Sequence, residues 1–170
     1  MTEPTERCIG CGAIVARIDG PIHRYMTSAP GCWAKHGELS AYHLSDPGAS
    51  DYRQLCADAY AVQHPGQPGP QATQSVGGHL VNLFAQLKVG LPVARAAAII
   101  ERGIRQKGYF AWLTPPSFEG AHTILFMLAN LHDPRRAAHE WAASAWKAWA
   151  PHHAQVRAWY EELSRGHGGS

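Results

Sequence analysis

The chain has 170 residues, 45% of them hydrophobic and 16% charged, with 15 Lys and Arg against 13 Asp and Glu for a formal net charge of +2. That length suits one domain with one sizeable core, the composition excludes a disordered chain, and the near balance of charge leaves no broad basic stripe for a nucleic-acid backbone. No stretch approaches the roughly 20 uninterrupted apolar residues of a membrane span, and no apolar signal region follows the polar residues 1–7, so a cytoplasmic protein with neither membrane nor nucleic acid as partner is expected.

Cys8-Ile9-Gly10-Cys11-Gly12 reads as a metal knuckle, because glycines let the backbone turn its amides toward thiolate sulfurs. A short strand fits residues 13–19. Turn signals at Gly20-Pro21 and Ser28-Ala29-Pro30-Gly31 place Cys32 where a helix over 33–43 begins. After the break at Asp46-Pro47-Gly48, residues 50–63 carry Tyr52, Leu55, Cys56, Ala59 and Val62 at helical spacing, and His64-Pro65-Gly66 ends that helix. The segment 71–88 has Val76, Leu80, Leu83, Phe84 and Leu87 on one side, with Gly90 as its stop, and Pro92 opens a helix over 93–107. Residues 108–120, with Trp112 and the Pro115-Pro116 pair, cannot be regular helix and are positioned to wall a cleft. Helices are then expected over 123–131, 135–149 and 151–164, the last two carrying Trp141, Trp146, Trp149 and Trp159 as a core stripe. The expected fold is mainly α: a bundle of about five to seven helices with an N-terminal zinc-binding knuckle. One domain spans 1–165, its segment 8–36 packed on the bundle 37–165, before a disordered tail at 166–170.

Structural zinc takes four tetrahedral ligands, and Cys8 and Cys11 supply two from one turn. Cys32 is the natural third. Spacing leaves the fourth open between His23 and His36, the latter placed with Cys32 on one face of a helix's first turn. A redox pair at Cys8 and Cys11 would call for a βαβ pattern that the chain lacks, and Cys56 in mid-helix reads as a small core residue.

A second group carries more chemistry. Asp58 and His64 end one helix, His79 lies within the next, and His152-His153 begins the last. Side chains projecting inward from adjacent helices commonly build metal centres, and three histidines with a carboxylate suit zinc, iron, manganese or copper. His79 lies beside the apolar stripe of its helix, preceded by Gly77-Gly78, which either allow a close helix contact or leave room for a ligand. The plain alternative is a set of singly hydrogen-bonded histidines. His152 and His153 point about 100° apart on a helix, so only one of them would join such a site.

Gly20-Pro21-x-His23-x-Tyr25, Ser28-x-Pro30-Gly31-Cys32-Trp33, Asp58-Ala59-Tyr60-x-x-Gln63-His64-Pro65-Gly66, Gln74-Ser75-x-x-x-His79 and Trp149-x-Pro151-His152-His153 together resemble an uncharacterised bacterial family of small Cys/His-rich proteins that open on a Cys-x-x-Cys-Gly knuckle. The likeness covers residues 8–160 and brings no activity with it. It implies His23 ahead of His36 as the fourth zinc ligand, and places His64, His79 and the His-His pair in the family pattern. The expectation is therefore a metalloprotein with a structural Zn2+ at Cys8, Cys11, His23 and Cys32. A second metal is expected at His64, His79 and His152 or His153, with Asp58, His64, His79 and His153 acting in metal-dependent hydrolysis or oxygen chemistry on a small-molecule substrate. The alternative is a non-enzymatic zinc-stabilised module that binds a partner protein or small ligand.

Overall fold

Proline's fixed φ and missing N–H suit the first turn of a helix, and three helices here open on one: α1 (Pro30–Ser45), α3 (Pro70–Phe84) and α6 (Pro134–Ala148). The computed structural model describes residues 3–166. The other helices are α2 (Arg53–Gln63), α4 (Val93–Arg105, after Pro92), α5 (Ile124–Ala129) and α7 (His153–Arg165). Side-chain caps close the orphan amides of two starts: Thr123 accepts from the Leu125 amide and Asp133 from the Arg136 amide. Ahead of the helices, β1 (Thr5–Arg7) and β2 (Ile14–Ala16) form an antiparallel hairpin in which Arg7 opposes Ile14. The mainly helical fold with an N-terminal Cys/His cluster is as the sequence implies. The tail expected at 166–170 lies, past Gly166, outside the described residues. No helix among those described is long and apolar enough to cross a membrane.

Helix α2 lies at the centre, packed on α3 and α6. Its last turn is fixed by tryptophans of the α6 stripe. The Trp141 indole N–H donates to Gln63 Oε1 at 2.9 Å, the Trp149 indole N–H donates to the Val62 carbonyl at 3.1 Å, and both rings are fully buried. Gln63 in turn donates to the His122 carbonyl at 2.7 Å. This triad of contacts immobilises the end of α2, from which His64 projects.

Helix α3 is shorter than its apolar pattern implies, because its last turn relaxes into a π-helical turn, Ala85–Val89, closed by Gly90 in the left-handed region at φ 76°. Turns of this kind swing side chains off the α-helical register and often mark functional positions. Here the turn carries Gln86 to Asp58. The expected glycine pair at 77–78 divides its roles. A Cβ on Gly77 would intrude on the Phe110 ring, so this glycine serves packing between α3 and the loop after α4, whereas Gly78 borders a cleft.

Candidate functional site

The Cys8 amide donates to the Ala13 carbonyl at 2.8 Å and the Gly12 amide to the Cys8 carbonyl at 2.9 Å, so the hairpin turn is closed tightly with Cys8 and Cys11 on it. Cys32 stands in the first turn of α1, where the amides of a helix N-terminus favour a thiolate. Three thiols thus arrive from the first 32 residues, and His64 brings the fourth donor from the end of α2. The ligand atoms of Cys8, Cys11, Cys32 and His64 all lie within 4.8 Å of one another, and every one of the four residues is buried. Among the described residues this is the only group of three or more His, Cys, Asp or Glu side chains so disposed.

The environment prepares each donor. His64 Nδ1 lies 2.7 Å from the Tyr60 carbonyl, an acceptor, so Nδ1 carries a hydrogen and Nε2 is the nitrogen turned to the sulfurs. Nε2 stands 3.5 Å from Cys8 Sγ and 3.4 Å from Cys32 Sγ, while Cys11 Sγ and Cys32 Sγ are 3.8 Å apart. The Ala29 amide donates to Cys8 Sγ at 3.4 Å and the Tyr60 hydroxyl to Cys32 Sγ at 3.7 Å. Hydrogen bonds from Cys11 and Cys32 hold the Cys8 thiol well below the ordinary thiol range, and the same crowding pushes the Cys32 thiol up. Burial acts to lower the His64 pKa, but the neighbouring sulfurs of Cys11 and Cys8 outweigh it and push the imidazole up to about 9. Three thiolates cannot coexist at this spacing without a counter-charge, and a divalent cation supplies one.

Gly10 lies against this centre. A Cβ there would collide with the Thr27 carbonyl oxygen, the His64 ring and the Gln63 carbonyl oxygen, two of them rigid backbone atoms. Gly10→Ala is therefore expected to displace the knuckle from His64. Competition with a chromophoric chelator should show metal affinity at least about tenfold lower, the cost of roughly 1.4 kcal/mol or more of strain.

The histidines are distributed otherwise than the family resemblance and the expected helix packing imply. His23 stays outside the cluster: its Nδ1 accepts from the Tyr25 amide at 3.1 Å and its ring meets Trp33 edge-on. His36 stacks on Trp33 at 4.7 Å between ring centres. A histidine close in sequence is easily diverted by its own turn, whereas His64 is held at the sulfurs by an anchored helix end. With His64 engaged there, the expected second metal centre lacks a member. The pair after α6 is committed as well: His152 Nε2 lies 2.8 Å from the Thr114 carbonyl, and His153 Nε2 lies 2.9 Å from the Trp146 carbonyl with its ring stacked on that indole.

Asp58 and His79 do meet. Asp58 is fully buried, and its Oδ1 lies 2.7 Å from His79 Nδ1 across the α2–α3 contact. The same oxygen accepts from Gln54 Nε2 at 2.9 Å and Asn82 Nδ2 at 3.2 Å, while Oδ2 accepts from Gln86 Nε2 at 2.9 Å. Four donors thus satisfy one buried carboxylate. His79, still 29% exposed, lines a cleft of about 760 Å³ between α3 and α4, a volume typical of small-molecule sites. Trp112 lines a neighbouring cavity of about 600 Å³ with Phe110 and Tyr109, so the loop after α4 does provide a wall.

Compared with known families, the chain matches the one described as Family of unknown function (DUF5946) over residues 6–150. No curated protein and no solved structure matches it.

Proposed function

Because the chain belongs to that family of unknown function, membership transfers no activity, and we propose from its own residues a zinc-stabilised helical protein whose chemistry lies in the cleft at His79. Zinc is supported by fit. A tetrahedral ion with bonds of about 2.3 Å to sulfur and about 2.0 Å to nitrogen has S–S edges of about 3.8 Å and S–N edges of about 3.5 Å. Three of the cluster's six edges are 3.8, 3.5 and 3.4 Å, and all six lie within 4.8 Å. Four protein donors and full burial leave no coordination position for a substrate, so the zinc is structural: it ties the hairpin and α1 to the end of α2.

The observation that carries the rest is the 2.7 Å contact between buried Asp58 and His79 at the cleft wall. A carboxylate on Nδ1 fixes the tautomer that leaves Nε2 free to take a proton, the arrangement of a general base held by an orienting acid. His79 is then the acid–base residue and Asp58 the residue that positions it. His64, His152 and His153 have no part in the cleft.

Elemental analysis of protein purified without added metal tests this reading. One zinc per chain is expected, unchanged in His79→Ala and His153→Ala. A second metal that disappears in those variants would overturn it in favour of a His-rich metal centre.

One observation favours the alternative of a partner-binding module. Five of the eight large apolar side chains exposed among the described residues fall within 9–25, Ile9 at 76% and Ile22 at 54% among them. Apolar side chains exposed along the segment that carries the cysteine turn suit a protein contact. Under that reading Ile9→Asp abolishes function in a complementation assay and His79→Ala does not.

A further inference from the structure

The cleft described above has two unlike walls. Helix α4 contributes Ala94, Ala97, Ala98, Ile100 and Ile104, an apolar surface, while α3 contributes Gln74, Ser75, His79 and Asn82. The polar wall is directed by Asp58. A carboxylate only accepts, so Asn82 must turn its NH2 toward it, and its carbonyl oxygen points the other way. That oxygen is buried and has no hydrogen-bond partner among the described residues, although Asn82 is only 8% exposed. A buried acceptor left in this state costs about 1–3 kcal/mol, which a ligand N–H would recover. His79, its Nδ1–H committed to Asp58, offers a second acceptor at Nε2.

Charge points the same way. The buried Asp58 carboxylate stands behind this wall with only neutral amides and one imidazole as donors, and Glu101 lines the opposite side, paired with Arg105 at 2.6 Å. No lysine or arginine among the described residues lines the cleft, so it offers a phosphate or carboxylate no cationic side chain.

Resting on the reading that the cleft is the site of chemistry, we infer that its ligand is a small primary amine with an apolar body. The amine donates to Asn82 Oδ1 and His79 Nε2, and the body lies along the alanine and isoleucine face of α4. Hexylamine, hexanol and hexanoate share an alkyl body and differ in the head, so these three serve as probes of the purified full chain.

Side-chain NMR of Asn82 and His79, with calorimetric titration, is expected to show hexylamine perturbing both residues and binding at least about tenfold more tightly than hexanoate. Asn82→Leu and His79→Ala should each weaken hexylamine about tenfold, the loss of one hydrogen bond. If Asn82→Leu does not fold, the perturbation in the unaltered protein decides. Hexanoate binding as tightly as hexylamine at these residues overturns the amine assignment and leaves the cleft reading standing. Hexylamine binding unaffected by either variant overturns the proposed contacts. If no probe perturbs Asn82 or His79, both the assignment and the cleft reading fail.

Discussion

On the proposed zinc reading, replacing Cys32 by serine is expected to release the ion and destabilise the protein by several kcal/mol, on the order of its whole folding stability. The reasoning is geometric. Residues 3–29 contribute one short hairpin and little core of their own, apart from Cys8, Cys11, Ala13, Val15 and Ala29. A two-stranded hairpin of three-residue strands is not stable in water by itself. What holds it is the crossing of three sulfurs and one imidazole from segments separated by up to 56 residues. Cys32→Ser keeps the volume but replaces a soft thiolate by a hydroxyl that zinc accepts poorly, and leaves Cys8 and Cys11 facing each other without their counter-ion. Thermal unfolding should shift down by more than about 10 °C, and a strong chelator should produce the same shift in the unaltered protein. His23→Ala, at a ring outside the cluster, should leave both readouts unchanged.

Asp58→Ala is expected to be the most damaging change in the helical part, at about 3–5 kcal/mol. It removes the acceptor from Gln54, His79, Asn82 and Gln86 together, and orphans donors on α2, on α3 and on the π-helical turn. Urea titration measures the loss. Asp58→Asn separates stability from orientation. It fills the same space and costs less, but an amide cannot accept from all four donors, and its own NH2 faces one of them. The His79 imidazole then loses its fixed tautomer, visible in the nitrogen shifts of its ring. If the network were mere packing, Asp58→Ala would cost no more than the roughly 1 kcal/mol of an average substitution.

Much of this organisation is legible in sequence because it is local. The apolar spacing of Val76, Leu80 and Leu83 marks α3, Pro92 marks the start of α4, and Cys8-x-x-Cys11 marks a turn with metal-ligand spacing, whereas Pro30 and Pro70 read as parts of turns and open helices only in the structure. The α3 end at Phe84, three or four residues short of its apolar pattern, is where periodicity stops informing: Leu87 keeps the helical count while the backbone changes to a wider turn. The fourth donor is not legible from spacing at all. His64 lies 32 residues beyond Cys32, and its approach depends on Trp141 and Trp149 anchoring α2 from the far side of the bundle. One signal could have found it: a histidine at the end of a helix whose inner face is apolar needs a partner where it is buried, and three cysteines one ligand short of a tetrahedral set are such a partner. Asp58 and His79 were recognisable as chemistry-bearing for a similar reason, since consecutive helices joined by a short loop bring their inner faces together.

The central claim is that zinc sits among three cysteines and His64. Zinc-edge X-ray absorption on the purified chain tests it most directly. The expected spectrum fits three sulfurs at about 2.3 Å and one imidazole nitrogen at about 2.0 Å. The nitrogen shell should vanish in His64→Ala and persist in His23→Ala. A shell unchanged by His64→Ala and lost in His23→Ala, or fewer than three sulfurs in the unaltered protein, would contradict it.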